Sequence, residues 1–305
     1  RPYAGSQQEL EAWGHDLPTV RRRVTEEEVM VPGFLPDIPL VRKEIAQYFT
    51  SVYRCDEIIG VVLDVLEETG QADNSLVMFM SDNGMSFPFA KSNCYLQSTK
   101  TPLLVRWPGE VAPGSVDVTH PVSGVDYMPT MLDLVGIEPP AGLNGSSFLP
   151  LLQGKTQPER QYVFTEYHRT YARKNYPMRA VQGPRFGYLI NFWAGRNGPM
   201  RMESTSGLTY DAMQAAAEHD PYIASRVQLF DHRVLEEFYD FKNDPDGLNN
   251  LIDDPAYQDE IDELRGALAE RMRKTGDFAL EAFLGREDPA RIDAFMEKMK
   301  RLAER

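Results

Sequence analysis

From Val41 onward, apolar residues fall at Val41, Ile45, Tyr48, Phe49, Val52, Ile59, Val62, Leu63 and Leu66. Steps of three and four put them on one face of a long helix. Asp37 ahead of Pro39 predicts where that helix starts. Gly70 predicts where it ends, in the left-handed conformation that costs glycine nothing. Leu76-Val77-Met78-Phe79-Met80 is a short, wholly apolar run between Asn74-Ser75 and Ser81-Asp82-Asn83-Gly84. It predicts a buried strand feeding a polar loop. Leu103 to Arg106 predicts a second buried strand, stopped by Trp107-Pro108-Gly109. Asp126 to Val135 carries Met128, Met131, Leu132 and Val135 on one side and predicts a helix closed by Gly136. Helix, short connection, buried strand and polar loop together predict an α/β fold whose sheet is covered by helices on both faces.

Beyond about residue 155 the texture changes. Strand-like runs occupy 162–167, 178–182, 187–192 and 237–241, followed by a helix from about Pro255 to Lys274. Antiparallel strands closed by a helix predict a smaller α+β subdomain. The chain therefore divides into 1–155, 156–278 and a highly charged, helix-prone tail over 279–305, anchored by Phe283, Phe295, Met299 and Leu302. At the other end, residues 1–36 look irregular. Their segment Val29 to Pro36 has too much proline and glycine for regular structure, yet is apolar enough to lie against the body of the protein.

Composition narrows the partners. The 305 residues, 42% hydrophobic and 26% charged, are those of an ordinary globular protein. A formal net charge of −14 makes nucleic acid a poor partner. It would also repel a polyanionic sugar, unless positive charge is concentrated at one site. No apolar run approaches the roughly 20 residues of a membrane span. Cys55 and Cys94 make no disulfide framework and have no zinc-ligand spacing. The sequence opens Arg1-Pro2-Tyr3 without an initiator Met, which reads as a cut through a longer protein, and it carries no address that would fix a compartment.

The loop Ser81-Asp82-Asn83-Gly84 carries the first candidate chemistry. In open α/β sheets, ligands bind at the carboxyl ends of the strands. The Asp82 carboxylate and Asn83 amide are adjacent hard oxygen donors, suited to Ca²⁺ or Mg²⁺ rather than zinc. Asp-Asn-Gly is equally an ordinary turn sequence with Gly84 permitting the turn, so the loop alone supports both readings. Lys91 follows on the same loop. A divalent cation with a lysine beside it can grip a tetrahedral oxyanion, because both neutralise charge on its oxygens.

The succession FTSVYRCDEIIGVVLDVLEETGQADNSLVMFMSDNG, then Lys91, TPLLVRWPG and SGVDYMPTMLDLVGI resembles sulfatases of the alkaline-phosphatase superfamily. Within them, VMVPGFLPDIP, SDNGMSFPFAKSNCYL and NYPMRAVQGPRFGYLINF resemble the heparan N-sulfatase branch, and EEFYDFKNDPDGLNNLIDDP resembles the aspartate-rich loop before the last helix. The resemblance implies an alkaline-phosphatase-like mixed sheet, with residues 1–155 as the C-terminal portion of the catalytic domain. It implies one Ca²⁺ site with Asp82 and Asn83 as two of its ligands, completed by aspartates outside this chain. Lys91 would bind the sulfo group of a sulfated sugar, resembling N-sulfoglucosamine. Arg1 would close an Asp-Pro-His-Arg motif whose histidine is catalytic. The nucleophile would be a formylglycine from a Cys/Ser-x-Pro-x-Arg segment, its hydrate attacking sulfur. Neither Cys55 nor Cys94 has that context, and both read as buried or half-buried thiols. The chain alone is therefore expected to be inactive, to bind Ca²⁺ weakly, and to form a homodimer or associate with an N-terminal fragment.

Other polar residues carry two readings each. Glu166 and His168 in FTEYHRT would border the sugar pocket, or make only local contacts at a strand end. Arg179 would reach an anionic sugar substituent, or form a structural ion pair. His15, His120, His219 and His232 have no paired context and read as surface residues. Asp244, Asp246, Asp253 and Asp254 read as turn and capping residues. Asn144-Gly145-Ser146 fits a glycosylation sequon. Two rival functions remain: a phosphate or phosphonate monoester hydrolase of the same superfamily, and a binding or assembly module that kept the fold without the chemistry.

Overall fold

Pro39 opens the long helix α1 (Pro39–Glu68) at its first turn, where its missing N–H costs nothing. The computed structural model describes residues 20–170 and 173–303 together with positions 12 and 14. Arg1 and His15 lie outside the described residues. Ile38 is the N-cap, while Asp37 reaches one turn in to accept from Arg42 Nη2 at 2.6 Å. Gly70, at φ +67°, ends the helix as expected. Only its beginning is buried, through Val41, Glu44, Ile45 and Ala46. Val52, Ile58, Val61, Val62 and Val65 lie in solvent.

The strands β1 (Val77–Met80) and β2 (Leu103–Arg106) pair antiparallel, from Val77 opposite Arg106 to Met80 opposite Leu103. The sequence predicts both as buried; they are half-exposed, and Leu104 is 62% accessible. Among the described residues these two strands form a sheet of their own, and a two-stranded ribbon with open edges cannot bury both faces. The short helix α2 (Leu96–Thr99) lies between the two strands in the chain, and α3 (Tyr127–Leu134) and α4 (Leu149–Leu152) follow them. A capping box between Ser123 and Asp126 precedes α3, and Gly136 ends it at φ +69°.

The second sheet runs β3 (Val163–Arg169), β4 (Asn175–Gln182), β5 (Phe186–Asn191) and β6 (Glu236–Asp240), all antiparallel and in that order. Between β5 and β6 lie α5 (Leu208–Ala217) and α6 (Pro221–His232), which the hydrophobic pattern does not announce. The buried face of α6 includes Arg226 and Asp231, so charges interrupt the apolar stripe that would mark a helix.

Each face of this sheet has its own core. Met178, Ala180, Leu189 and Tyr239 pack with Val41 and Ile45 of α1 and with Phe87, Phe89 and Tyr95 of the intervening loop. Val29, Phe34 and Leu35 join them, so the Pro/Gly-rich segment does lie against the body. On the opposite face, Val181, Tyr188, Ile190 and Phe238 pack under α7 (Gln258–Thr275), α8 (Leu280–Leu284) and α9 (Pro289–Ala303). Phe283, Phe295 and Met299 anchor the charged tail in this second core, with Ile292 added and Leu302 left exposed.

Candidate functional site

The Ser81–Gly84 loop leaves the C-terminal end of β1. Ser81 Oγ donates to the Asn83 carbonyl at 2.7 Å, and the Gly84 N–H donates to Ser98 O at 3.0 Å. Gly84 is required for proximity, not for handedness of the turn. A Cβ there would lie 2.1 Å from Gln97 O and 2.4 Å from Ala90 O. Asp82 is exposed and Asn83 half-buried. A carboxylate and an amide oxygen side by side have the chemistry for a hard cation. Among the described residues no group of three or more His, Cys, Asp or Glu side chains could hold a metal ion. Asp82 and Asn83 supply two oxygen donors and, among the described residues, no complete cage.

Lys91 stands on the continuation of this loop, and its Nζ lies 2.7 Å from Glu203 Oε2. Glu203 belongs to a short turn (Glu203–Ser206) between β5 and α5. Nothing in the sequence announced it, because the pairing is remote and Glu203 sits in no motif. The loop is held by its own side chains. Asn93 Nδ2 donates to Lys91 O at 2.8 Å, and Asn93 Oδ1 accepts from the Tyr95 N–H at 2.9 Å. It is also tied to β4, where Gln182 Nε2 donates to Cys94 O at 3.1 Å.

Side chains alternate across a strand, so Glu166 and His168 leave β3 on the face opposite Thr165 and Tyr167. The structure brings them to Arg179 rather than to Lys91. Glu166 and Arg179 are cross-strand partners. Glu166 Oε2 lies 3.5 Å from both His168 Nε2 and Arg179 Nε. Hydrogen bonding from His168, with help from Arg179, holds the Glu166 carboxyl below its ordinary range. Arg179 itself is buried and bonds both oxygens of Asp277, at 2.6 and 2.9 Å. Of its two sequence readings, the geometry matches the structural ion pair. His168 rests its ring 5.1 Å from that of Phe278.

The remaining expectations divide. Cys94 is buried, and burial, partly offset by Thr165, pushes its thiol up to about 12. Cys55, expected to be at least half-buried, is exposed, because it lies on the uncovered part of α1. His120 is not an unpaired surface histidine. Its Nδ1 lies 2.8 Å from Asp117 Oδ2, and its Nε2 accepts from the Gln157 N–H at 3.3 Å. The contacts tie two loops together across a sequence gap that no local pattern reveals. Asp244 accepts from the Leu248 and Asn249 N–H groups, and Asp254 caps the turn at Ala256, as turn chemistry predicts.

The profile of the family described as Sulfatase matches residues 2–137, and that of N-sulphoglucosamine sulphohydrolase, C-terminal, matches residues 85–199. The chain is 31% identical to the human N-sulphoglucosamine sulphohydrolase over 82% of its own length and 52% of that protein. It is 29% identical to an ulvan-active sulfatase of Formosa agariphila, over 82% of this chain and 41% of the relative. It thus spans about half the length of the curated relatives it matches. Among solved structures, one in complex with its substrate D-glucosamine-2-N,6-O-disulfate superposes with a TM-score of 0.56 at 23% identity, covering 78% of this chain and 41% of the other. A phosphonate monoester hydrolase from Silicibacter pomeroyi superposes with a TM-score of 0.55, also at 23% identity, over 84% of this chain and 47% of the other.

Proposed function

We propose, for a chain that belongs to the sulfatase family and has its alkaline-phosphatase-like fold, that it forms part of an enzyme removing a sulfo group from an N-sulfoglucosamine-like sugar. The observation that carries this reading is the loop after β1, which presents the Asp82 and Asn83 oxygens and then the Lys91 ammonium. Asp82 and Asn83 contribute oxygens to a Ca²⁺ site whose other ligands come from outside the described residues. The ion, when bound, supplies positive charge that stabilises the developing charge on sulfo oxygens. Lys91 donates hydrogen bonds to those oxygens as a compact point charge. Glu203 holds the Lys91 ammonium in place before the sugar arrives. Glu166, exposed at the end of β3, and the half-buried His168 would serve at the rim of the sugar pocket, and Arg179 keeps them in place.

The nucleophile on this reading is a formylglycine outside the chain. Cys94 is buried with its thiol held protonated, and Cys55 precedes Asp56 rather than an x-Pro-x-Arg sequence. The 305-residue chain alone then releases no sulfate. The exposed apolar residues of α1, together with Met80 and Leu104, suit a covering polypeptide, which we assign to the remainder of the catalytic domain. A direct test compares turnover by the complete enzyme of N-sulfoglucosamine and glucosamine 6-O-sulfate, read as sulfate released, with turnover of a phosphonate monoester, read as alcohol released. Preference for the sulfamate supports the reading; preference for the phosphonate replaces it with the rival hydrolase.

A further inference from the structure

Four non-glycine residues among the described ones have positive φ: Phe89 (68°), Ser92 (59°), Arg173 (61°) and Arg233 (56°). Two of them, Phe89 and Ser92, bracket Lys91, and a third, Arg233, packs against the Phe89 ring. The left-handed region is costly for side chains of this size. Such residues persist only where their surroundings leave no alternative, and they gather at functional sites.

The surroundings of Phe89 are unusual in charge. The ring is buried, with the guanidinium carbon of Arg226 4.2 Å from its centroid and that of Arg233 5.3 Å away. The Phe230 and Tyr95 rings close it in at 5.3 and 5.7 Å. Arg233 also lies 4.7 Å from the Tyr95 ring, whose hydroxyl donates to both oxygens of the buried Glu237 at 2.9 and 2.8 Å. Arg226 and Arg233 are 7% and 5% exposed, and neither Nε has a hydrogen-bond acceptor. Among the described residues neither forms an ion pair with a carboxylate. Burying a guanidinium without a carboxylate is costly, and an apolar side chain of similar length would fill the space better if packing were all that mattered. Arg233 donates to Leu229 O at 3.3 Å and to Met200 Sδ at 3.6 Å, and what the two cations share is the face of Phe89, an arrangement that desolvation strengthens.

We propose that Arg226 and Arg233 are positioning residues for Lys91. Their guanidiniums clamp the Phe89 ring and hold the loop through its two left-handed residues. The Asn93 side chain locks the turn behind Lys91, and the ammonium is thereby fixed at Glu203. The consequence for sulfo-group binding rests on the function proposed above; the positioning itself does not.

The test uses the 305-residue chain with its lysines reductively methylated with carbon-13, the Lys91 resonance being identified by its loss in Lys91→Arg. In the parent chain Glu203→Gln shifts that resonance, because the ion pair is gone. Arg226→Met keeps side-chain length and removes the cation, and it should abolish this response. Arg226→Lys returns a cation to the ring face and should restore it. Persistence of the response in Arg226→Met, or failure of lysine to restore it, overturns the proposal. Should Arg226→Met not fold, Phe89→Leu keeps the bulk without the aromatic face, and the same loss is expected; a retained response there equally overturns it. Titration with inorganic sulfate separates the two ideas. If the Glu203 response depends on Arg226 but sulfate leaves Lys91 unmoved, positioning stands and the sulfo-binding reading falls. If sulfate moves Lys91 equally in the parent chain and in Arg226→Met while the Glu203 response persists, the positioning proposal falls alone.

Discussion

Arg179 and Asp277 form a two-pronged ion pair beneath the second sheet, with Nε and Nη2 each on a different carboxylate oxygen at 2.6 and 2.9 Å. Both side chains are nearly inaccessible, at 2% and 6%. Burial pushes the Asp277 carboxyl up, and the hydrogen bonds and charge of Arg179 more than reverse this, leaving it below its ordinary range. A carboxyl depressed in the folded state stabilises the protein above its unfolded pKa, and that contribution is lost as pH falls through the folded pKa. Asp277→Asn should therefore cost about 3 kcal/mol at neutral pH, since it strands a buried guanidinium. Urea unfolding as a function of pH checks this. The gap between variant and parent should begin to shrink below about pH 4, where the carboxyl of the unfolded chain takes up its proton, and close at lower pH as the folded carboxyl follows.

Gly84→Ala should damage the loop that carries the oxygen donors. The added Cβ meets two backbone carbonyls, Gln97 O and Ala90 O, and backbone cannot rotate away as a side chain can. A loss of about 1–3 kcal/mol is expected from such overpacking. In the complete enzyme activity should fall further than stability does, because the displaced segment contains Asp82 and Asn83. Thermal melting and turnover on the same preparation separate the two effects.

Much of this architecture was legible because its signals are local. The heptad-like spacing from Val41 to Leu66 gave α1 to within a few residues, and Gly70, Gly136 and the alternating runs after residue 155 marked their own turns and strands. Burial was less legible. Val77–Met80 is as apolar as a core strand, yet its cover does not come from the described residues. Pairings remote in sequence could not be read at all: Glu203 with Lys91, Asp277 with Arg179, and Gln157 with His120 depend on which loops the fold brings together. The helix α6 escaped notice because Arg226 and Asp231 sit on its buried face. That polar interruption is what makes the Phe89 cluster chemically informative.

The uncovered face of α1 gives an association prediction. Val61 and Leu104 are 61% and 62% exposed, and exposed apolar side chains of this size favour association. The isolated chain should self-associate in sedimentation velocity as its concentration rises. Val61→Lys with Leu104→Lys should leave it more monomeric and change stability by less than about 1 kcal/mol, as expected for surface sites. If the covering polypeptide proposed above is present, the same pair of changes should weaken folding markedly in the complete enzyme.

The proposed role of the loop after β1 is to act on a sulfo group, and sulfate release from N-sulfoglucosamine by the complete enzyme measures this most directly. Asp82→Ala and Lys91→Ala should each lower kcat by at least about a hundredfold, the scale of removing one charge-stabilising group from a transition state, while melting temperature stays near that of the parent. Turnover at the parental rate in either variant would contradict the assignment.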